Sequence, residues 1–274
     1  MKPRPSFPAK LDTTLARNRP NTVGASAATL ITNTAPTPQH GMTVRTKPVT
    51  AAVSQGHGME SSAVRARMVQ KLAAQGVTNP QVLGAMGAVE RHRFVDSALI
   101  NQAYEDTSLP IGLGQTISKP GVVSRMLELM CNVQSGKLGR VLEIGTGCGY
   151  QAAVLSRLAT EVYSIERLRG LHDRARENLR HLRLANLHLL FGDGMEGYAK
   201  GAPYAAIIAA AGGEAVPQAW IEQLAVGGRL VAPVAVAGAS SGAQALMVLD
   251  KTPQGVRQTI LEAVHFVPLK SGVA

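Results

Sequence analysis

The segment RVLEIGTGCGY, residues 140–150, constrains the fold of this chain more than any other stretch. Val141, Leu142 and Ile144 form a short aliphatic run that is typical of a strand buried on both faces in a parallel sheet. Three glycines follow at alternate positions, and QAAVLSRLA then carries apolar residues at helical spacing. A strand, a glycine turn and a helix in this order predict the start of a nucleotide-binding βαβ unit, where missing side chains let the backbone approach a ligand closely.

The charge around this turn indicates which ligand it holds. The dinucleotide fingerprint requires a glycine where this chain has Tyr150. Glu143 stands two residues before the first glycine, where it would repel a pyrophosphate and attract the ammonium or sulfonium group of S-adenosylmethionine. The turn therefore favours this cationic cofactor, although a glycine-rich turn in an α/β protein need not bind any ligand.

Two further acids end the next two predicted strands. Glu166 closes the second strand, at the position from which a carboxylate reaches the ribose hydroxyls of a nucleoside. Asp193, between two glycines, closes the third strand and is placed to accept a hydrogen bond from the adenine amino group. Taken alone, either acid is as consistent with a solvated residue at a strand end as with a ligand-binding residue. Three acids at the carboxyl ends of adjacent strands, beside a glycine turn, together predict a ligand site at this edge of the sheet.

Composition limits the classes of protein to which the chain can belong. It has 274 residues, of which 45% are hydrophobic, so a packed core can form. The two cysteines, Cys131 and Cys148, are too few for a disulfide framework and predict a reducing, cytoplasmic location. No run reaches the roughly 18 apolar residues that a membrane span requires.

Basic residues are concentrated at the beginning of the chain. Seven lysines and arginines but only one acid precede Met59, together with seven of the 15 prolines. This segment has no apolar period, so it cannot bury enough surface to offset the entropy of ordering. We therefore predict a disordered basic N-terminal extension over residues 1–58 and a folded domain over residues 59–274. A solvated tail is favoured over an organelle-targeting segment, which this composition also resembles.

Helical and strand patterns alternate through the rest of the chain. Two helices are predicted within residues 59–89, a long loop from Asn101 to Pro120, and then a helix with Val122, Met126, Leu129 and Met130 facing inward. The predicted strands lie near residues 141–144, 162–165, 187–191, 205–209, 229–234, 245–249 and 260–266. The last two are joined by turn residues as an antiparallel hairpin. The fold class is α/β: a Rossmann-like, doubly wound sheet of seven mostly parallel strands, with a C-terminal antiparallel hairpin and helices on both faces.

The motifs beyond the glycine turn resemble the protein-L-isoaspartate O-methyltransferases, a family of class I S-adenosylmethionine-dependent methyltransferases. The resemblance covers about Met59 to Leu269 and rests on YEDTSLPIGLGQTISKP, LEIGTGCGYQAAVL, SIER, FGDG, GGRLVAPV and FVPL. It implies methyl transfer from S-adenosylmethionine to the free carboxylate of L-isoaspartyl residues in damaged proteins and peptides. The methyl ester would then be lost through a succinimide, which is the first stage of repair.

The resemblance also assigns residues to two sites. The cofactor site consists of Glu143, Gly145, Thr146, Gly147, Gly149, Glu166, Asp193 and Gly194. The isoaspartyl site consists of Gln115, Thr116, Ile117 and Ser118, with Ser118 at the position usually called catalytic. Ser118 before Lys119 and Pro120 is also a good helix N-cap, so its hydroxyl has two candidate roles. Two features depart from the family pattern: Cys148 replaces a small residue of the turn, and AAAGGEAVP follows the fourth strand.

Two other functions stay open at this point. A class I methyltransferase acting on a small molecule would keep the cofactor acids but would not need the QTIS loop. A nucleic-acid-binding module would need basic residues clustered on the folded part, and arginines do recur between Arg167 and Arg183. A solvated helix face explains these arginines more simply. The expected partners are isoaspartyl proteins and peptides, with no nucleic acid, membrane or metal, and the expected enzyme is a monomer.

Overall fold

The computed structural model describes residues 62–131, 136–236, 238 and 242–274. The extension predicted over residues 1–58 lies outside these residues and stays a prediction. Within the described part of the chain, no helix is long and apolar enough to cross a membrane.

The described domain contains six α-helices and nine strands, with short 3-10 turns between some of them. The helices are α1 (Ser62–Ala74), α2 (Pro80–Ala88), α3 (Pro120–Cys131), α4 (Tyr150–Leu158), α5 (Arg169–Leu179) and α6 (Gln218–Gln223). The strands are β1 (Leu109–Gly112), β2 (Gln115–Ile117), β3 (Leu138–Ile144), β4 (Ala159–Glu166), β5 (Leu187–Phe191), β6 (Tyr204–Ala209), β7 (Leu224–Ala235), β8 (Gln244–Thr252) and β9 (Gly255–Val264).

Seven of the strands form one sheet in the order β5-β4-β3-β6-β7-β8-β9. The pairs among β5, β4, β3, β6 and β7 are parallel, and β8 and β9 continue the sheet in antiparallel pairs. The predicted fold class is therefore confirmed. The strand order reverses direction at β3, whose neighbours are β4 and β6. Ligands of doubly wound sheets bind at such a reversal, beyond the carboxyl ends of the strands.

The sequence of β3 explains its central position. Val141, Leu142, Glu143 and Ile144 are all buried, because helices or loops cover both faces of the sheet at this strand. Separate hydrophobic clusters lie on the two faces: Val141 belongs to one and Leu142 to the other. The carboxylate of Glu143 is thus enclosed in an otherwise apolar strand.

Three sequence predictions are corrected by the structure. The segment predicted as a loop, residues 101–120, contains the antiparallel hairpin β1–β2, in which Leu109 lies opposite Ile117. These strands have only 4 and 3 residues, which is too short for alternating apolar residues to identify a strand in the sequence. Strand β9 begins at Gly255 rather than near residue 260, because it is an edge strand whose first six residues are all exposed. Helix α3 buries Val123, Met126, Leu127 and Met130, whereas Val122 and Leu129 are only half-buried.

Candidate active site

A cavity of about 250 Å³ lies beyond the carboxyl ends of β3 and β4. Its wall combines the β1–β2 hairpin and the loop after it, the glycine turn, the end of β4 and a C-terminal segment, Val267–Lys270. Nine of the predicted site residues contribute to this wall: Gln115, Thr116, Ile117, Ser118, Gly145, Thr146, Gly147, Glu166 and Gly194. The structure thus brings the two predicted sites into one cavity. Glu143, Gly149 and Asp193 do not reach the wall.

The glycines of the turn are required for two different reasons. Gly145 and Gly147 line the cavity with φ of 89° and 57°, a backbone conformation that side chains disfavour. Gly149 is the N-cap residue of α4 and has a φ of 91°, and a Cβ atom there would lie 2.7 Å from Leu179 Cδ1. Gly149 therefore allows α5 to pack against the turn, and the first two glycines leave the backbone open to a ligand.

Glu166 is held at the cavity wall by backbone amides. Its Oε2 accepts a hydrogen bond of 2.8 Å from the amide of Gly147, and its Oε1 accepts one of 2.9 Å from the amide of Leu168. The residue is only 5% exposed, so its orientation is fixed. Each carboxylate oxygen has a further lone pair, and Glu166 can therefore accept two more hydrogen bonds from hydroxyl groups in the cavity.

Glu143 lies behind the wall in a buried polar network. Ser164 Oγ donates to Glu143 Oε2 and lies 2.6 Å from Thr146 Oγ1, and Thr146 lines the cavity. Glu143 Oε1 and the nearby Gln151 Nε2 are buried without a hydrogen-bond partner among the described residues. Burial raises the pKa of Glu143 to about 8, since the neighbouring Ser164 and Gln151 side chains offset only part of the desolvation.

Asp193 binds backbone amides beside the cavity. Its Oδ1 accepts a hydrogen bond of 2.8 Å from the amide of Met195, and its Oδ2 accepts one from the amide of Gly272. The next residue, Gly194, does line the cavity, and a Cβ atom there would lie 2.7 Å from Ile144 Cγ2. Asp193 therefore ties the C-terminal segment to the end of β5, while Gly194 permits the close approach of β3.

The hydroxyl of Ser118 is available to a ligand. Ser118 lines the cavity and is half-buried, and its hydroxyl has no hydrogen-bond partner in the described part of the chain. The N-terminal amide of α3 at Gly121 instead donates 2.7 Å to Asp106 Oδ1. The interpretation of Ser118 as the N-cap of α3 is therefore wrong, because the carboxylate of Asp106, in the preceding loop, accepts the hydrogen bond that an N-cap side chain would accept.

Two parts of the wall were not among the predicted site residues. Leu113, at the tip of the β1–β2 hairpin, lines the cavity although it is 62% exposed and has a positive φ of 53°. The C-terminal segment is held by Gly212, whose amide donates to Val267 O at 2.9 Å and whose carbonyl accepts from the Leu269 amide at 2.8 Å. Gly212 belongs to AAAGGEAVP, the segment that departs from the family pattern. This segment therefore holds the FVPL motif, residues 266–269, in place. That motif was the available sequence signal for this wall.

The order of the parallel strands, the glycine turn at the reversal point and the acid at the end of β4 define a Rossmann-like methyltransferase of class I. The chain matches the protein-L-isoaspartate(D-aspartate) O-methyltransferase family over residues 63–274 and belongs to this family. The predicted family, its enzyme class and its S-adenosylmethionine cofactor are therefore confirmed.

Individual relatives agree with this assignment. A protein-L-isoaspartate O-methyltransferase of Methylibium petroleiphilum is 55% identical, over 99% of this chain and 97% of the relative. One from Leptothrix cholodnii is 60% identical, over 81% of this chain and 79% of the relative. A solved protein-L-isoaspartate O-methyltransferase is 28% identical with a TM-score of 0.68, over 76% of this chain and 66% of that chain. A Plasmodium falciparum structure in complex with S-adenosyl-L-homocysteine shares the fold, with 22% identity, a TM-score of 0.65, and coverage of 74% of this chain and 97% of that chain.

Proposed function

We propose that this protein uses the cavity beyond β3 and β4 to transfer the methyl group of S-adenosylmethionine to the free carboxylate of L-isoaspartyl residues. The observation that carries the proposal is that the QTIS loop, the glycine turn and Glu166 line the same cavity. S-adenosylmethionine, when bound, supplies an electrophilic methyl group. A single cavity places that group beside the loop that holds the acceptor.

The cofactor half of the cavity fits a nucleoside with a cationic methionine end. Each carboxylate oxygen of Glu166 already accepts one hydrogen bond from a backbone amide, and its remaining lone pair accepts a hydrogen bond from a ribose hydroxyl. Gly145 and Gly147 allow the cofactor to approach their backbone closely. Glu143 acts from behind the wall, through the hydrogen bonds by which Ser164 joins it to Thr146. A cation at that end stabilises the ionised form of the Glu143 carboxyl group.

The substrate half of the cavity positions a carboxylate. The hydroxyls of Thr116 and Ser118 donate to the isoaspartyl carboxylate and orient one of its oxygens toward the methyl group. No general base is needed, because a carboxylate is already ionised at neutral pH. The rate then depends on alignment and on exclusion of water. The buried side chains of Ile111 and Ile117 make this part of the wall apolar.

The proposal includes the expected partners and location, which are isoaspartyl proteins and peptides in the cytoplasm, a monomeric enzyme and no nucleic acid. Three of the six arginines from Arg167 to Arg183 support the last point. Arg174 donates 2.7 Å to Ile111 O, Arg167 Nε donates 2.8 Å to Gly272 O, and Arg169 lies 3.6 Å from the centroid of the Phe191 ring. These three arginines are engaged in contacts within the domain and do not form a free basic face.

A pair of matched peptides tests the proposed substrate. Formation of S-adenosylhomocysteine is measured with an isoaspartyl peptide and with the same sequence carrying ordinary aspartate. We expect turnover with the isoaspartyl peptide alone. Equal turnover of both peptides, or turnover only with small carboxylic acids, would contradict the proposal and favour a methyltransferase that acts on small molecules.

A further inference from the structure

Arg91 is a completely buried cation that lies outside the cavity wall. Among the described residues no carboxylate forms a salt bridge with it. Burial lowers the pKa of its guanidinium, which shows that the surroundings disfavour the charge. Because an unpaired buried charge is costly, the contacts of Arg91 must be the reason for its position.

These contacts join the two ends of one loop. Arg91 Nε donates 2.8 Å to the carbonyl oxygen of Ala103, and Nη2 donates 2.9 Å to the carbonyl oxygen of Ser118. The segment between those two carbonyls carries the β1–β2 hairpin and the QTIS loop. Arg91 therefore closes the base of the segment that forms the substrate half of the cavity.

The same guanidinium also contacts the cofactor half. It lies 4.8 Å from the centroid of the Tyr150 ring, and Tyr150 is the first residue of α4, directly after the glycine turn. The first turn of α3 does not use the carbonyl of Ser118, since the amides of Val122 and Val123 donate to Lys119 O. Arg91 is thus the donor that fixes the peptide group of Ser118.

We propose that Arg91 is a positioning residue for methyl transfer, holding the Ser118 peptide group in a fixed place relative to Tyr150 and the glycine turn. This inference rests on the proposed role of Ser118. A planar guanidinium suits the task because its fork donates to two carbonyls at once, and a charged donor strengthens both hydrogen bonds. A lysine ammonium keeps the charge but does not reproduce the fork.

The test compares Arg91→Lys and Arg91→Gln with Arg229→Lys as a control. Arg229 also donates to a backbone carbonyl, that of Leu129, but it does not line the cavity. For each protein we would measure melting temperature, cofactor affinity by calorimetry, kcat and KM for an isoaspartyl peptide, and amide hydrogen exchange of residues 109–117. If Arg91 were merely structural, its replacement would lower the melting temperature but leave kcat and KM of the folded protein near those of the wild type.

We expect both Arg91 variants to fold and to bind the cofactor within about threefold of the wild type. Their kcat should fall at least roughly tenfold, more in Arg91→Gln than in Arg91→Lys, because alignment of the acceptor is lost. Exchange should accelerate in residues 109–117, whereas Arg229→Lys should lower melting temperature and keep kcat.

Three results would separate or overturn these ideas. Normal kcat in Arg91→Gln would overturn the positioning role while leaving the proposed function intact. Variants that are unfolded even at low temperature would also overturn it, since Arg91 would then serve the stability of the fold. Absence of isoaspartyl methylation in the wild-type protein would instead overturn the proposed function itself.

Discussion

The amide of Gly147 donates a hydrogen bond of 2.8 Å to the carboxylate of Glu166, which joins the glycine turn after β3 to the carboxyl end of β4. The other carboxylate oxygen accepts from the amide of Leu168. The acid that we assign to the ribose is thus oriented by the protein before any ligand enters. A preorganised acceptor loses little freedom on binding, so more of its interaction energy contributes to affinity.

Replacing Glu166 should weaken cofactor binding strongly. Glu166→Ala removes a charge-assisted pair of acceptors, which corresponds to about 2 to 4 kcal/mol, or roughly 30- to 1000-fold in the dissociation constant of the cofactor. The fold should survive, with lower stability because two amides lose their acceptor. Calorimetry with S-adenosylhomocysteine gives the affinity. Glu161→Ala is the control, since Glu161 lies on the same strand but pairs with Arg140 on the surface. Equal affinities of both variants would remove Glu166 from the site.

The buried carboxyl of Glu143 should make stability depend on pH. Its pKa is raised from 4.5 to about 8 in the folded protein. A raised pKa favours the protonated folded state, so this stabilisation is complete below pH 4.5 and is lost as pH rises toward about 8. Glu143→Gln cannot ionise. Its free energy of unfolding relative to the wild type should increase across this window, by up to about 1.4 kcal/mol per pH unit. The measurement is chemical unfolding of both ligand-free proteins from pH 4 to pH 9, and a pH-independent difference would contradict the assignment.

Asp106, and not Ser118, should stabilise the start of α3. Asp106→Ala leaves the amide of Gly121 without its acceptor and should lower the free energy of unfolding by about 1 kcal/mol. Ser118→Ala should change it by less than about 0.5 kcal/mol, because the hydroxyl has no partner to lose. Urea unfolding of both variants decides the matter. A larger loss in Ser118→Ala would restore the N-cap interpretation.

The parts of the fold that depend on local patterns were predictable from the sequence. Helix α4, Tyr150–Leu158, lies where the apolar spacing of QAAVLSRLA predicts a helix, because that spacing is a local signal. Strand β3 was predictable because a strand covered on both faces must be almost continuously apolar. Glu166 and the QTIS loop likewise stand at positions that short motifs mark.

The remaining features depend on contacts between distant residues. Asp106 caps α3 from 15 positions before Gly121, across the whole hairpin. Arg91 lies in the polar run Arg91-His92-Arg93, and charged side chains in such runs are usually exposed. Its partners are backbone carbonyls, which any residue could supply, so no sequence pattern indicates its burial. Asp193 is predicted to contact the adenine, but in the structure its carboxylate accepts from the amide of Gly272. Those residues are 79 positions apart, so no local pattern indicates the contact.

The predicted extension over residues 1–58 should be dispensable. The family match begins at residue 63, and the segment before Met59 lacks a core-forming pattern. A chain that begins at Met59 should keep its melting temperature and its methyl-transfer rate. A drop of several degrees on truncation would show that the extension packs against the domain.

The most direct test of the account measures cofactor binding and methyl transfer on one preparation of Ser118→Ala. Our central claim is that Ser118 orients the isoaspartyl carboxylate in a cavity whose cofactor half is independent of it. Cofactor affinity and melting temperature should stay near those of the wild type. The rate of isoaspartyl methylation should fall roughly ten- to a thousandfold, which is the loss of one or two positioned hydrogen bonds in a dry site. A stable Ser118→Ala protein that binds the cofactor and methylates the peptide at the wild-type rate would contradict the claim.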